Sequence, residues 1–232
     1  DWLVDEPNRP IADANWPRRS AEIVVEETRD TRPLFTLLHP VSRRERLFGP
    51  FSDGALTPVG QVADGAWLAW HYSARYPARL VRAALDPSGP RILADLSAHP
   101  DIAIPAPDEL TAAEDFRWQS DDGTPIQGWL YRPRGPAIGT ILDVHGGPTG
   151  HDEDAFSADP QYFAHCGFNV LQPTYRGSTG FSLAFQEAVK KDGWGGAEQG
   201  DIRTGAEALI RAGIAQPCRV AITGYSYGGY SA

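Results

Sequence analysis

Methionine is absent from the 232-residue sequence, and only two cysteines occur, Cys166 and Cys218. Both lie among apolar residues, so we expect a pair of buried, reduced thiols rather than a metal or redox site. Reduced thiols agree with a cytoplasmic location, which we predict. Because the sequence starts at Asp1 and contains no methionine, we expect the natural amino terminus to lie upstream.

Long hydrophobic runs and an excess of positive charge are also missing. No stretch of about 18 apolar residues occurs, so we predict no membrane-spanning segment and no membrane partner. Asp and Glu outnumber Lys and Arg by 30 to 21, and the net charge of −9 argues against binding to nucleic acid or anionic lipid. The 41% of hydrophobic residues is nevertheless enough to build a globular core.

The chain divides into two regions with different patterns. Residues 1–107 contain short apolar runs separated by turn residues, which is typical of an all-β array. These runs are Ala21–Val25, Leu34–Leu38, Ala66–Trp70 and Leu80–Ala84. A proline-rich stretch at 98–110 indicates the connection between the regions. Residues 108–232 begin with a hairpin and then alternate strands with predicted helices over 181–191 and 197–212, which indicates an α/β fold with a largely parallel sheet.

The strongest motif is Gly224-Tyr225-Ser226-Tyr227-Gly228, which has the G-x-S-x-G pattern of a nucleophile elbow. The β-branched run at 219–223 predicts a buried parallel strand directly before it. A serine at the tip of a tight strand-to-helix turn has strained backbone geometry, and glycines at 224, 228 and 229 remove side chains that would collide with neighbouring elements. We therefore predict that Ser226 is a catalytic nucleophile. The alternative is a glycine-rich turn with an incidental serine.

A second motif, His145-Gly146-Gly147-Pro148, follows the apolar strand predicted at 140–144. Loops of this type supply an oxyanion donor in α/β-hydrolases, because glycine lets a backbone N–H approach the oxygen of the attacked carbonyl. We predict that the amides of Gly147 and Tyr227 form the oxyanion hole. His145 precedes the nucleophile in the chain, so we expect it to brace this loop by hydrogen bonding rather than to act as the base.

With these motifs the chain resembles the prolyl oligopeptidase family of serine peptidases, in particular its acylaminoacyl peptidase and dipeptidyl peptidase branch. The motifs stand in the family's order over residues 116–232: Asp143-Val144-His145-Gly146-Gly147-Pro148, Thr174-Tyr175-Arg176-Gly177-Ser178-Thr179-Gly180, Gly193-Trp194-Gly195-Gly196 and Gly224-Tyr225-Ser226-Tyr227-Gly228-Gly229-Tyr230. The resemblance implies a partial α/β-hydrolase domain over 108–232, preceded over 1–107 by strands resembling the last blades of a β-propeller. It also implies the same roles for Ser226, Gly147 and Tyr227.

The resemblance further implies a serine peptidase that hydrolyses short peptides or acyl-aminoacyl peptides through an acyl-enzyme on Ser226, with no metal or organic cofactor. On α/β-hydrolase folds the triad runs in the order Ser, Asp or Glu, then His, so we expect its Asp and His beyond Ala232. Residues 1–232 alone are therefore expected to be inactive and to need the remainder of the same polypeptide. Two other interpretations stay open, a carboxylesterase of the same fold and a non-catalytic binding fragment.

Two residues near the motifs are candidates for substrate binding. Arg176 follows a strand end, where α/β sheets place ligand sites, and either contacts a substrate carbonyl or carboxylate or pairs with Asp192 or Asp201. Tyr225 flanks the nucleophile, and its ring either walls the substrate pocket or packs in the core. The His and acidic residues at 151–154 match no metal-ligand spacing, so we predict no metal site there.

Overall fold

The computed structural model describes residues 3–4, 9–18, 20–48, 54–86, 89–95 and 105–232. These ranges contain three β-sheets and five helices, and every helix lies beyond residue 157. Residues 98–104 of the predicted connection lie outside the described residues, so the division of the chain at residue 107 stays a prediction. None of the described helices is long and apolar enough to cross a membrane.

The first two sheets are four-stranded antiparallel meanders, each with its strands in chain order. The strands of the first sheet are β1 (Ile11–Asn15), β2 (Ile23–Arg29), β3 (Arg32–Leu38) and β4 (Glu45–Leu47). Those of the second are β5 (Ala55–Gln61), β6 (Trp67–Ser73), β7 (Tyr76–Asp86) and β8 (Gly89–Asp95). The four predicted apolar runs fall in or overlap β2, β3, β6 and β7, which confirms the all-β pattern of this region.

A shared hydrophobic cluster holds these two sheets together. Side chains alternate along a strand, so β6 buries Trp67, Ala69, His71 and Ser73 on one face. Trp67 packs edge-on against Phe48, with the ring centroids 5.3 Å apart. The cluster draws on both sheets and consists of Val24, Phe35, Leu37, Phe48, Leu56, Trp67, Ala69, Val81 and Ala83. Each sheet therefore depends on the other to bury its apolar face.

The third sheet has five strands in the order β13-β11-β12-β10-β9. The strands are β9 (Ala113–Gln119), β10 (Pro125–Tyr131), β11 (Gly139–Val144), β12 (Phe168–Thr174) and β13 (Val220–Gly224). β9, β10 and β12 pair antiparallel, whereas β11 pairs parallel with both β12 and β13. β13 forms one edge of this sheet in the described chain. The predicted hairpin and the predicted parallel strands are confirmed, but the described sheet is mixed rather than largely parallel, because two of its four strand pairings are antiparallel.

The five helices follow this sheet in chain order. They are α1 (Ala158–His165), α2 (Leu183–Glu187), α3 (Val189–Asp192), α4 (Ala197–Arg211) and α5 (Tyr227–Ser231). The predicted helix at 197–212 is confirmed as α4, whose buried Ile202 and Leu209 pack on Leu130, Leu142 and Leu171 of the sheet. The other prediction, one helix over 181–191, is wrong because Ala188 interrupts it. Its amide donates to Phe185 O three residues back, which tightens the turn and separates α2 from α3.

The cysteines also differ from expectation, because both are exposed free thiols. Cys166 ends α1 as its C-cap, and Cys218 lies in a turn with a φ of 62°. Apolar neighbours along the chain do not decide where a side chain points once a helix end or a turn reorients the backbone. The prediction of buried thiols is therefore wrong.

Polar contacts join the second sheet to the third. The Ala74 amide, in the turn between β6 and β7, donates to Asp154 Oδ1 at 2.9 Å, and the Gln161 side chain of α1 donates back to Ala74 O at 2.9 Å. Tyr72 OH donates to Glu153 Oε2 at 3.2 Å. The segment 151–154 therefore lies against the β-rich part of the chain.

Two glycines of α4 provide a matched test of the core. A Cβ on Gly205 would lie 2.9 Å from Cζ2 of Trp118, whose ring cannot shift freely because its Nε1 donates to Asp201 O at 3.0 Å. Overpacking costs about 1–3 kcal/mol, more than the gain of about 1 kcal/mol in helix propensity, so Gly205→Ala should lower the free energy of unfolding. Gly200→Ala should raise it, because a Cβ there meets only side-chain tips, Asp121 Oδ2 at 3.3 Å and Ser120 Oγ at 3.9 Å. Urea denaturation measures both, and shifts of the same sign would contradict the packing described.

Candidate active site

Ser226 lies in the tight turn between β13 and α5, in a strained backbone conformation with φ 55° and ψ −116°. Such geometry is costly for a residue with a side chain and persists only where the surroundings impose it. Here the end of β11 imposes the conformation. A Cβ on Gly228 would lie 1.8 Å from Val144 O, and one on Gly224 would lie 2.6 Å from the same oxygen. Both glycines are therefore required by the close approach of two backbones.

Gly229 differs from the other two glycines of the motif. A Cβ at this position would lie 3.4 Å from Gly224 O, which is an ordinary van der Waals distance. The expectation that Gly229 is needed for the same steric reason is therefore wrong. Only the glycines two residues before and two after the serine are fixed by contact.

Parallel pairing brings the two predicted motifs to the same edge of the sheet. Val144 pairs with Gly224, so the chain leaves both strands side by side. A Cβ on Gly146 would lie 3.3 Å from Ser226 Cβ and 3.9 Å from Ser226 Oγ. Ser226 is exposed, and its hydroxyl has no hydrogen-bond partner in the part of the chain described. We call residues 145–148 the diglycine loop. The exposed Ser226, our candidate nucleophile, thus lies beside this loop.

Two backbone N–H groups near Ser226 are left without an acceptor. Within the described ranges, the amides of Gly147 and Tyr227 donate to no protein group. Tyr227 begins α5, where the first amides of a helix have no intrahelical partner. Gly147 has a φ of 131°, a conformation that a residue with a side chain rarely adopts. Free, rigidly held N–H groups can bind an anionic oxygen.

His145 holds the diglycine loop through both ends of its ring. Its Nδ1 lies 2.8 Å from Gly146 O. Its Nε2 lies 3.0 Å from Ser178 Oγ. Tyr175 stacks on the ring at 4.4 Å between centroids and donates its hydroxyl to His145 O at 2.8 Å. Burial lowers the pKa of His145 to about 4, so the ring is neutral near pH 7 and braces the loop as expected.

Tyr227 is held from its other end by a buried carboxylate. Its hydroxyl donates to Glu198 Oε1 at 2.8 Å, and the same oxygen accepts from the Gly195 amide. Burial, together with this carboxylate, raises the pKa of Tyr227 to about 12. The ring also contacts Tyr175 and Trp194, at centroid distances of 6.0 and 5.6 Å. The residue after the serine is therefore fixed by both its backbone turn and its side chain.

Arg176 is engaged by protein carboxylates rather than free to meet a ligand. Its Nε and Nη2 donate to Asp201 Oδ2 and Oδ1 at 2.9 and 2.6 Å, and Nη1 pairs with Asp122. Asp201 is fully buried and also accepts from the Arg176 amide at 2.9 Å. Hydrogen bonds to Asp201 raise the pKa of Arg176. Of the two roles considered for Arg176, substrate contact or ion pair, the structure shows the ion pair, with Asp201 as the partner. The side chain of Asp192 lies outside the described residues.

The other residues singled out in the sequence are Tyr225 and the segment 151–154. Tyr225 is 87% exposed, so its ring does not pack in the core. His151 contacts Thr179 Oγ1 at 2.6 Å through Nδ1, and burial raises the pKa of neighbouring Asp152 to about 7. Among the residues described, no three His, Cys, Asp or Glu side chains are arranged to hold a metal ion.

Sequence reasoning missed the side chains that support the site. Tyr175 and Ser178 belong to a motif already singled out, but their contacts with His145 span about 30 residues of chain and have no local signature. Glu198 carries no sequence signal as the partner of Tyr227. The spatial grouping of Ser226 with the diglycine loop, in contrast, follows from the motifs themselves.

Comparison with known proteins agrees with this geometry. Residues 154–232 match the model of the prolyl oligopeptidase family. The uncharacterized peptidase YuxL of Bacillus subtilis is 32% identical over 126 residues, covering 52% of this chain and 19% of its own length. A probable dipeptidyl-peptidase 5 of Emericella nidulans is 26% identical over 98% of this chain and 32% of its own. This chain thus spans about a third or less of the length of these relatives.

A solved structure shows the same fold. An acylaminoacyl peptidase of Pyrococcus horikoshii superposes with a TM-score of 0.75 at 25% identity, over 98% of this chain and 35% of its own. The fold class is therefore confirmed, with propeller-like sheets followed by part of an α/β-hydrolase sheet. Residues 154–232 thus match the prolyl oligopeptidase family, and the fold and the relatives agree with that match.

Proposed function

We propose that this chain carries the nucleophile and the oxyanion hole of a serine peptidase. The observation that carries the proposal is the position of Ser226. It is exposed and occupies a strained turn, which the approach of Gly224 and Gly228 to Val144 O imposes, and it lies beside Gly146. Two amides have no protein acceptor in the described chain, that of Gly147 in the loop after β11 and that of Tyr227 directly after the serine. We assign these two amides as the oxyanion donors.

In the proposed reaction, Ser226 Oγ attacks a peptide carbonyl and the oxygen of that carbonyl becomes negatively charged. Each oxyanion donor contributes about 2.7–4 kcal/mol of transition-state stabilisation. The serine proton needs a base, and His145 does not fit this role because its ring is buried in hydrogen bonds to Gly146 and Ser178. We propose that a His and an Asp from outside residues 1–232 complete the triad. Residues 1–232 alone would then not turn over substrate.

The proposed substrates are short peptides or acyl-aminoacyl peptides. The support comes from relatives named as dipeptidyl peptidases and from a neighbour named as an acylaminoacyl peptidase. We further propose that residues 1–107 form closing propeller blades and that 108–232 begin the hydrolase domain, with Tyr225 at the substrate pocket. Free cysteines and a net charge of −9 support a cytoplasmic enzyme that does not bind nucleic acid.

The nucleophile assignment is tested in the whole polypeptide by replacing one atom. Ser226→Ala should abolish labelling by a fluorophosphonate probe, because the variant lacks the hydroxyl that we assign as the nucleophile. The thermal unfolding midpoint should not fall, since Ser226 Oγ makes no hydrogen bond in the described chain. Intact mass spectrometry measures labelling, and a variant that still reacts would refute the assignment.

The brace on the diglycine loop is tested by a pair of Tyr→Phe variants. Tyr175→Phe removes the hydroxyl that donates to His145 O, at a cost of about 0.5–1.5 kcal/mol, and should slow acylation because the loop loses a constraint. Tyr131→Phe is the matched control, since the Tyr131 hydroxyl is equally buried but has no partner in the described chain. Stopped-flow acylation rates compare the two. Equal rates in both variants would argue against the brace.

A further inference from the structure

The turn between β2 and β3 contacts both the third sheet and the loop that follows β12. Thr31 Oγ1 lies 3.1 Å from Gln127 Oε1 of β10. We call residues 175–182, which follow β12, the post-β12 loop. The amide of Thr31 in that turn donates to Gly180 O in this loop at 3.2 Å. Thr31 is fully buried, although it belongs to a turn at the tip of a hairpin. A hairpin tip that is buried must have a docking surface, and here it consists of the post-β12 loop and Gln127 of β10.

Thr31 and Gly180 lie so close together that the turn between β2 and β3 has no room for another arrangement. Asp30 and Thr31 both have positive φ, 50° and 56°, which residues with side chains rarely adopt. Gly180 also has positive φ, and a Cβ there would lie 3.2 Å from both Cα and Cγ2 of Thr31. Arg117 of β9 holds the turn from the side, donating to Asp30 Oδ2 at 2.9 Å. A two-residue hairpin loop of this kind requires positive φ at both central residues, and the contacts with Gly180 and Arg117 hold this loop in place.

The post-β12 loop in turn holds the segment that contains the oxyanion donor. The Thr179 amide donates to Gly150 O at 3.0 Å, and Thr179 Oγ1 lies 2.6 Å from His151 Nδ1. One residue earlier, Ser178 Oγ lies 3.0 Å from His145 Nε2. Three consecutive residues, 178–180, thus connect the hairpin of the first sheet with both ends of the 145–151 segment.

We propose that Thr31 is a positioning residue for the oxyanion hole, acting through Gly180, Ser178 and His145 on the Gly147 amide. This inference rests on the proposed function of Ser226 and Gly147. The β-rich region then contributes to catalysis without touching substrate, because it fixes the post-β12 loop on which the diglycine loop depends. A displacement of about 1 Å in such a donor can cost as much as 100-fold in rate.

The test compares two Gly→Ala variants in the whole polypeptide. Gly180→Ala adds a Cβ against Thr31, whereas Gly65→Ala adds one at a similar φ, 85° against 88°, with no atom within 4 Å. Both carry the cost of positive φ, but only the first displaces the post-β12 loop. We expect Gly180→Ala to lower kcat by about 2- to 30-fold with KM unchanged. Affinity for a peptidyl trifluoromethyl ketone, which forms a tetrahedral adduct with the serine, should fall by the same factor.

Gly65→Ala should change neither quantity. If Gly180→Ala matches Gly65→Ala in kcat, or if its loss appears in KM alone, the inference is overturned. A merely structural contact would lower the thermal midpoint without changing the ratio of ketone to substrate affinity.

A second pair covers the case in which Gly180→Ala does not fold. Thr31→Gly removes the side chain that packs on Gly180, and Arg43→Gly makes the same change at an exposed residue with a φ of 55°. Only Thr31→Gly should lower kcat, and equal kcat values in this pair would overturn the inference. Failure of the proposed function is seen separately, because labelling of Ser226→Ala would contradict that proposal whatever these variants do.

Discussion

The close approach of the turn after β13 to the carbonyl end of β11 is the contact on which the rest of the site depends. Val144 O lies where a Cβ of Gly224 or Gly228 would otherwise be, so the two backbones are separated by little more than van der Waals distance. Parallel pairing of β11 with β13 sets this separation. It places Ser226 and Gly146 side by side.

Around this backbone contact, the supporting side chains differ in how they stabilise the site. His145 is neutral and buried, and it acts through hydrogen bonds whose partners are all within the protein. Arg176 and Asp201 form a charged pair, in which the carboxylate is fully buried and accepts from both the guanidinium and the backbone. A buried pair of this kind contributes little net stability, but loss of one partner leaves an unpaired buried charge. The geometry of the post-β12 loop is therefore strongly specified.

Most of the site and much of the fold could be predicted from the sequence, because both depend on local requirements. The turn itself requires glycine at positions 224 and 228. The apolar runs of β6 and β11 favour strands from their own residue pattern, whichever strands they pair with. β1 and β4 were not predicted, since every residue in them is exposed and they are strands only by pairing with β2 and β3. Arg176 is a second case in which long-range contacts decide, because its position in the chain was compatible with binding a ligand or with pairing to Asp201.

The central claim is that the oxygen bound to Ser226 during acylation faces the amides of Gly147 and Tyr227. The most direct measurement is a crystal structure of the whole polypeptide after reaction with a fluorophosphonate. The account predicts a phosphonyl group on Ser226 Oγ, with its oxygen about 2.7–3.1 Å from both amide nitrogens. An adduct whose oxygen points to solvent, or whose oxygen is bound by other donors, would contradict it.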